Sequence, residues 1–164
     1  ASAVLCQSSF HSEIARKNTD LDNIINLGGN IWDMDSLKFM SEMATVDKKP
    51  TYAVMNSQIR HKNTVGAIRF CNVKGYDYKL IESRNYKEFL SMMGENKSLV
   101  FLPETPETLS RVIVEARMMN MGVVTNKLVG AASEPWYALK GHELIKVFHT
   151  KRDEITDIVL DKLS

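Results

Sequence analysis

Four short apolar runs constrain the fold more than any other feature: Tyr52 to Met55, Tyr78 to Ile81, Leu99 to Leu102 and Val123 to Thr125. Each is rich in β-branched or aromatic residues, and none shows the apolar/polar alternation of a half-exposed strand. Continuous runs of this kind suit strands buried on both faces, as in a parallel sheet. Between them, apolar residues recur at helical spacing: Val65, Ile68 and Phe70; then Tyr86, Phe89, Leu90 and Met93; then Val112, Ile113, Ala116 and Met119. Strand and helix alternating at intervals of about twenty residues predict a doubly wound α/β unit. Val4–Leu5 with Phe10 to Arg16 reads as another β–α pair, followed by a strand-like Ile24 to Leu27. Two amphipathic segments close the chain, Glu143 to Phe148 and Glu154 to Leu163, with Thr150 and Asp153 as a capping box for the second.

The 164 residues match one ordinary domain, or half of a larger enzyme. No repeat, low-complexity tract or Pro/Gly/Ser linker divides them. The 21 Lys and Arg nearly cancel 20 Asp and Glu, which argues against a nucleic-acid or membrane-surface binder built on a basic field. No apolar run approaches the roughly 20 residues of a membrane span. The opening ASAVLCQSSF lacks the basic and long apolar regions of a signal peptide. Cys6 and Cys71 are too few for a disulfide framework, so a reduced, cytoplasmic setting is the simpler expectation.

Ligands of open α/β sheets bind beyond the carboxyl ends of the strands, beside helix N-termini. Two turns here carry suitable chemistry. After Met55 a polar loop runs to a helix capped by Asn63 or Thr64, and Arg60 and Lys62 flank that N-terminus. They are either an anion site or solvated loop charges. After Leu102 comes a segment holding Glu107 and Ser110, then a helix holding Glu115 between Val114 and Ala116. Glu115 on a partly buried face needs hydrogen-bond donors. Ligand hydroxyls would serve, and so would Arg111 one turn earlier. Glu107 would equally be a helix-start acid favoured by the dipole.

The run from Glu107 to Glu115 and Ala116 resembles the E-x7-E signature of retaining glycosyltransferases of the GT-B fold, the large family that includes sucrose synthases and many bacterial mannosyl- and glucosyltransferases. Arg117 to Thr125 is similar to that family's helix-to-strand run, Tyr52–Met55 with Lys62–Asn63 to its donor-phosphate loop, and Ile24 to Asp33 to its entry into the second domain. The resemblance covers most of the chain in the right order. It implies a three-layer Rossmann-like doubly wound parallel sheet that forms the donor-binding half of a hexosyltransferase, with residues 1–30 a linker or stub of the preceding domain. By the same resemblance, Glu115 would bind the ribose hydroxyls of a nucleotide sugar, and Glu107 the donor sugar. Lys62, aided by Arg60, would neutralise the diphosphate, and the backbone amides of Leu109, Ser110 and Arg111 would hold phosphate or sugar oxygens. No metal or other cofactor is called for. A glycan or lipid-linked acceptor would meet a missing N-terminal domain, and peripheral membrane association of the whole enzyme is compatible with such an acceptor.

Three departures bear on that expectation. Ser57 stands where many members place an arginine, Thr108 to Ser110 replace a Gly-aromatic-Gly, and Asn120 replaces a helix-ending Gly. The stretch between Ile81 and Leu99 is too short for two β–α units, which removes one unit near the expected base site. Among rival signals, Asp33-Met-Asp35 spells the Asp-x-Asp of metal-dependent glycosyltransferases of another fold, yet precedes a helix as an N-cap would. The four histidines show no metal-ligand spacing. A non-catalytic flavodoxin-like scaffold is the alternative class, in which the acidic pair and Lys62 are surface charges. A nucleotide-dependent dehydrogenase or epimerase is disfavoured by the lack of a G-x-G-x-x-G after a strand.

Overall fold

The computed structural model describes residues 3–163. Its elements run in chain order as β1 (Val4–Cys6), α1 (Ser9–Asn18), β2 (Ile24–Asn26), α2 (Met34–Met43), β3 (Lys49–Met55), α3 (Thr64–Lys74), β4 (Tyr78–Ile81), α4 (Tyr86–Gly94), β5 (Asn96–Val100), α5 (Arg111–Met118), β6 (Gly122–Val124) and α6 (Gly141–Leu163). All four predicted strands are present. They form one parallel sheet in the order β4-β3-β5-β6, with Ala53 opposite Leu99 and Val100 opposite Val124.

Alternate residues of the central strands serve two cores. Val54 and Val100 face Ala67 and Cys71 of α3, whereas Ala53, Leu99 and Phe101 face α2, α4, α5 and α6. Helices therefore cover both faces of the sheet, the three-layer α/β arrangement that two-sided apolar strands require. The methionines of the α5–β6 corner, Met118, Met119 and Met121, are fully buried and fill the larger core. Asn120 between them adopts φ +65 in the left-handed region, a conformation asparagine tolerates at a helix end.

The chain leaves β3 through α3 to β4 on one side, then crosses back through α4 to β5 on the other. The direction reverses between β3 and β5, and the loops after these two strands flank the resulting crevice. Residues 4–26 form a separate β-α-β unit, whose β1 and β2 pair in parallel outside the main sheet. That unit is held to the body of the protein: the Ser8 hydroxyl donates to the Thr108 carbonyl, and Glu134 accepts from the Ser9 amide and hydroxyl.

Two expectations need correction. The closing segments are one continuous helix, Gly141–Leu163. Thr150 caps nothing, because its hydroxyl points back to the Lys146 carbonyl of the preceding turn, and no Gly or Pro interrupts the helix after Gly141. Val65 is 70% exposed, so α3 packs through Ala67, Ile68, Phe70 and Cys71. Asp33 does cap α2: its carboxylate accepts from the Ser36 amide at 2.8 Å and the Ser36 hydroxyl at 2.7 Å. Those bonds, the hydroxyl foremost, hold the Asp33 carboxyl below the usual carboxylate range. Asp33→Ala is expected to cost about 1 kcal/mol in urea unfolding at neutral pH. Because the folded-state carboxyl is the stronger acid, that difference shrinks as pH falls through its folded value.

Candidate functional site

The loop after β3 is pinned at both ends by Thr64, whose hydroxyl donates to the Met55 carbonyl at 2.8 Å and accepts from the Ser57 amide at 3.1 Å. Within it, Arg60–Lys62 make one 3-10 turn, closed by Asn63 at φ +57. Asn63 caps α3 through the Gly66 amide, and its own amide donates to the Leu102 carbonyl at 2.8 Å. This bond and the Glu104 amide on the His61 carbonyl tie the loop to the segment after β5. Lys62 is thereby turned toward that segment, and its Nζ lies 2.7 Å from Glu107 Oε1. Both side chains are largely shielded, at 25% and 15% exposure.

Glu107 is not a helix-start acid. It lies in an extended segment that bridges to Val129, with its amide on the Leu128 carbonyl and its carbonyl receiving the Gly130 amide. The helix begins only at Arg111, after Ser110, which adopts φ +71 and supplies no side-chain cap. A glycine would relax in that conformation; serine holds it at a cost. Ser110 is 6% exposed, and its hydroxyl has no hydrogen-bond partner among the described residues. A cavity of about 330 Å³ opens here, lined by Lys62, Glu107, Thr108, Ser110, Arg111 and Val112 together with Gln7 and Asn30. Four expected residues thus share one cavity at the crevice between β3 and β5.

The others are placed differently. Leu109 is fully buried in the core, so only its backbone is available for a ligand. Arg60 is exposed and lines a different cavity of about 480 Å³ with Asn63, Arg69 and Glu104. Glu115 is 3% exposed and is not among the residues lining the Lys62–Glu107 cavity. Its Oε1 accepts from Trp32 Nε1 at 2.9 Å and from the Tyr86 hydroxyl at 2.7 Å, and lies 3.6 Å from Arg111 Nε. The Arg111 guanidinium stacks 4.2 Å from the Trp32 ring centroid and donates to the Ile31 carbonyl. Burial, then the charge of Glu115, pushes the Tyr86 phenol upward, which keeps it a neutral donor.

Sequence reasoning did not find Gln7, Asn30, Trp32 or Tyr86. Trp32 stands directly before the Asp33 cap and Tyr86 directly after the Asn85 cap. Nothing local in the sequence marks any of the four, because the contacts that bring Trp32 and Tyr86 to Glu115 span 83 and 29 residues. Among the described residues, no group of three or more His, Cys, Asp or Glu is placed to hold a metal ion, and no helix is long and apolar enough to cross a membrane. A scan against protein families finds none that matches the chain, and a search of curated proteins finds no match.

Proposed function

We propose that this chain is the nucleotide-sugar-binding part of a retaining hexosyltransferase of GT-B type, acting on a glycan or lipid-linked acceptor held by a preceding domain. The observation that carries the reading is the meeting of Lys62 and Glu107. They come from two loops 45 residues apart and converge on one cavity at the sheet's reversal point, beside an α5 N-terminus that has no side-chain cap. In this role the Lys62 ammonium and the α5 amides stabilise the charge that builds on the diphosphate as its bond to the sugar's anomeric carbon breaks. Glu107 accepts from sugar hydroxyls, and Glu115 from the ribose. Residues 1–30 are the linker or stub of that preceding domain, an assignment supported by the separate β1–β2 sheet. The electrostatic task is met by fixed cations and dipoles, so binding is expected to be independent of magnesium.

A second reading, a non-catalytic α/β scaffold, is favoured by one observation: Lys62 and Glu107 already satisfy each other. A thermal-shift panel of UDP, GDP, ADP and their hexose conjugates, with and without magnesium, separates the two. A ligand bound only by the folded state raises the melting temperature. The transferase reading expects a selective shift that Glu115→Gln weakens about tenfold in affinity, because a hydrogen bond to a charged acceptor is stronger than one to an amide. A flat panel with this chain and with a two-domain protein supports the scaffold.

A further inference from the structure

Two hydrogen-bond donors and the Arg111 guanidinium converge on a single oxygen of Glu115, and they differ in how firmly they are held. Trp32 is 1% exposed and packs edge-on against Phe148 at 4.9 Å. Arg111 is anchored by the Trp32 ring and the Ile31 carbonyl. Neither can leave without opening the core or the segment before α2. Tyr86 is different: it is the first residue of α4, is 42% exposed, and its ring borders a small surface cavity with Ser36, Phe39 and Lys87. Its side chain can turn outward without disturbing the Asn85 cap, which is made by the Asn85 carboxamide and the Glu88 amide.

Resting on the proposed ribose contact of Glu115, we infer that Tyr86 is a displaceable positioning residue: its phenol holds Glu115 and yields its place on Oε1 to a ribose hydroxyl of the entering nucleotide. The exchange is one O–H···O bond for another at the same acceptor, so it costs little in hydrogen bonding. It also explains how the carboxylate of a buried glutamate can still meet a ligand: among the described residues, the hydroxyl on Oε1 is the one at the exposed edge of the cluster. Trp32 keeps the carboxylate oriented throughout.

The test measures affinity for UDP, GDP, ADP and inorganic pyrophosphate by calorimetry, with wild type, Tyr86→Phe and Glu115→Gln. Phenylalanine keeps the ring and removes only the competing donor. For the base that binds, Tyr86→Phe is expected to tighten the nucleoside diphosphate about tenfold, the low end for a hydrogen bond to a charged acceptor, and to leave pyrophosphate unchanged. In protein labelled with 3-fluorotyrosine, the ¹⁹F resonance missing from Tyr86→Phe identifies Tyr86, and it is expected to shift with nucleotide but not with pyrophosphate. If nucleotide binds in a Glu115-dependent way but Tyr86→Phe binds it equally or more weakly, or the Tyr86 resonance does not respond, the exchange is overturned while the donor-site reading stands. If pyrophosphate binds and no nucleotide adds to it, the ribose contact itself is wrong, and both fall.

Discussion

Gly130→Ala is expected to lower stability by about 3 kcal/mol, the upper range for overpacking, and to reduce the melting temperature by roughly 10 °C for a chain of this size. Gly130 lies where three segments meet. A Cβ built on it would stand 2.2 Å from the Thr108 carbonyl oxygen and 2.5 Å from the Ser8 hydroxyl. These two groups are hydrogen-bonded to each other, and the Gly130 and Ala131 amides donate to the carbonyls of Glu107 and Leu109. A methyl group there has to push backbone away, since the nearest atom is a carbonyl and not the end of a flexible side chain. The segment displaced carries Glu107, so the same substitution disturbs the cavity as well as the fold. Gly94→Ala provides the contrast. Its Cβ would meet Met119 Sδ at 2.7 Å and Met43 Cε at 2.8 Å, both ends of pliable chains. Thermal unfolding of the two variants side by side is the check. Equal midpoints for Gly130→Ala and wild type would mean that the Ser8–Thr108–Gly130 junction is looser than these distances state.

That junction also shows where reading the sequence stops. The two central strands, β3 and β5, were legible because burial on both faces leaves a local trace: Ala53 and Val54 must both be apolar when one faces α5 and the other α3, whereas the edge strand β4 leaves Leu80 46% exposed. Asp33 was legible as a cap, and Asn63 as one of two candidates with Thr64, since a cap is completed within three residues. The α6 boundary was misread because a capping-box pattern at Thr150 also fits a helix interior, where its hydroxyl turns back on Lys146. Arg60 and Lys62 looked equivalent in the loop. In a 3-10 turn, residues two apart point about 240° from each other, so Lys62 meets Glu107 while Arg60 lines another cavity. The Trp32–Glu115–Tyr86 cluster had no local trace at all. Its partners are 83 and 29 residues from Glu115, and they meet only after α2, α4 and α5 have packed together.

The pairing of Lys62 with Glu107 leads to opposite expectations for its two members. Lys62→Met should weaken pyrophosphate and nucleoside diphosphates by between about tenfold and a hundredfold, the value of a charge-assisted bond to phosphate in a shielded site. Glu107→Gln should do the reverse for pyrophosphate. With 15% of its side chain exposed, the carboxylate competes with any anion for an ammonium 2.7 Å away, and an uncharged amide competes far less. A severalfold gain in pyrophosphate affinity is therefore expected. Hexose transfer by a two-domain protein should fall with the same variant, because the amide is a poorer acceptor for sugar hydroxyls. The double variant, Lys62→Met with Glu107→Gln, should bind pyrophosphate as poorly as Lys62→Met alone, since the gain operates through the lysine. Calorimetric titration of the four proteins closes this cycle. If Glu107→Gln weakens pyrophosphate as Lys62→Met does, the carboxylate acts by orienting Lys62 rather than by occupying it. If none of the four binds pyrophosphate, the crevice between β3 and β5 is not an anion site.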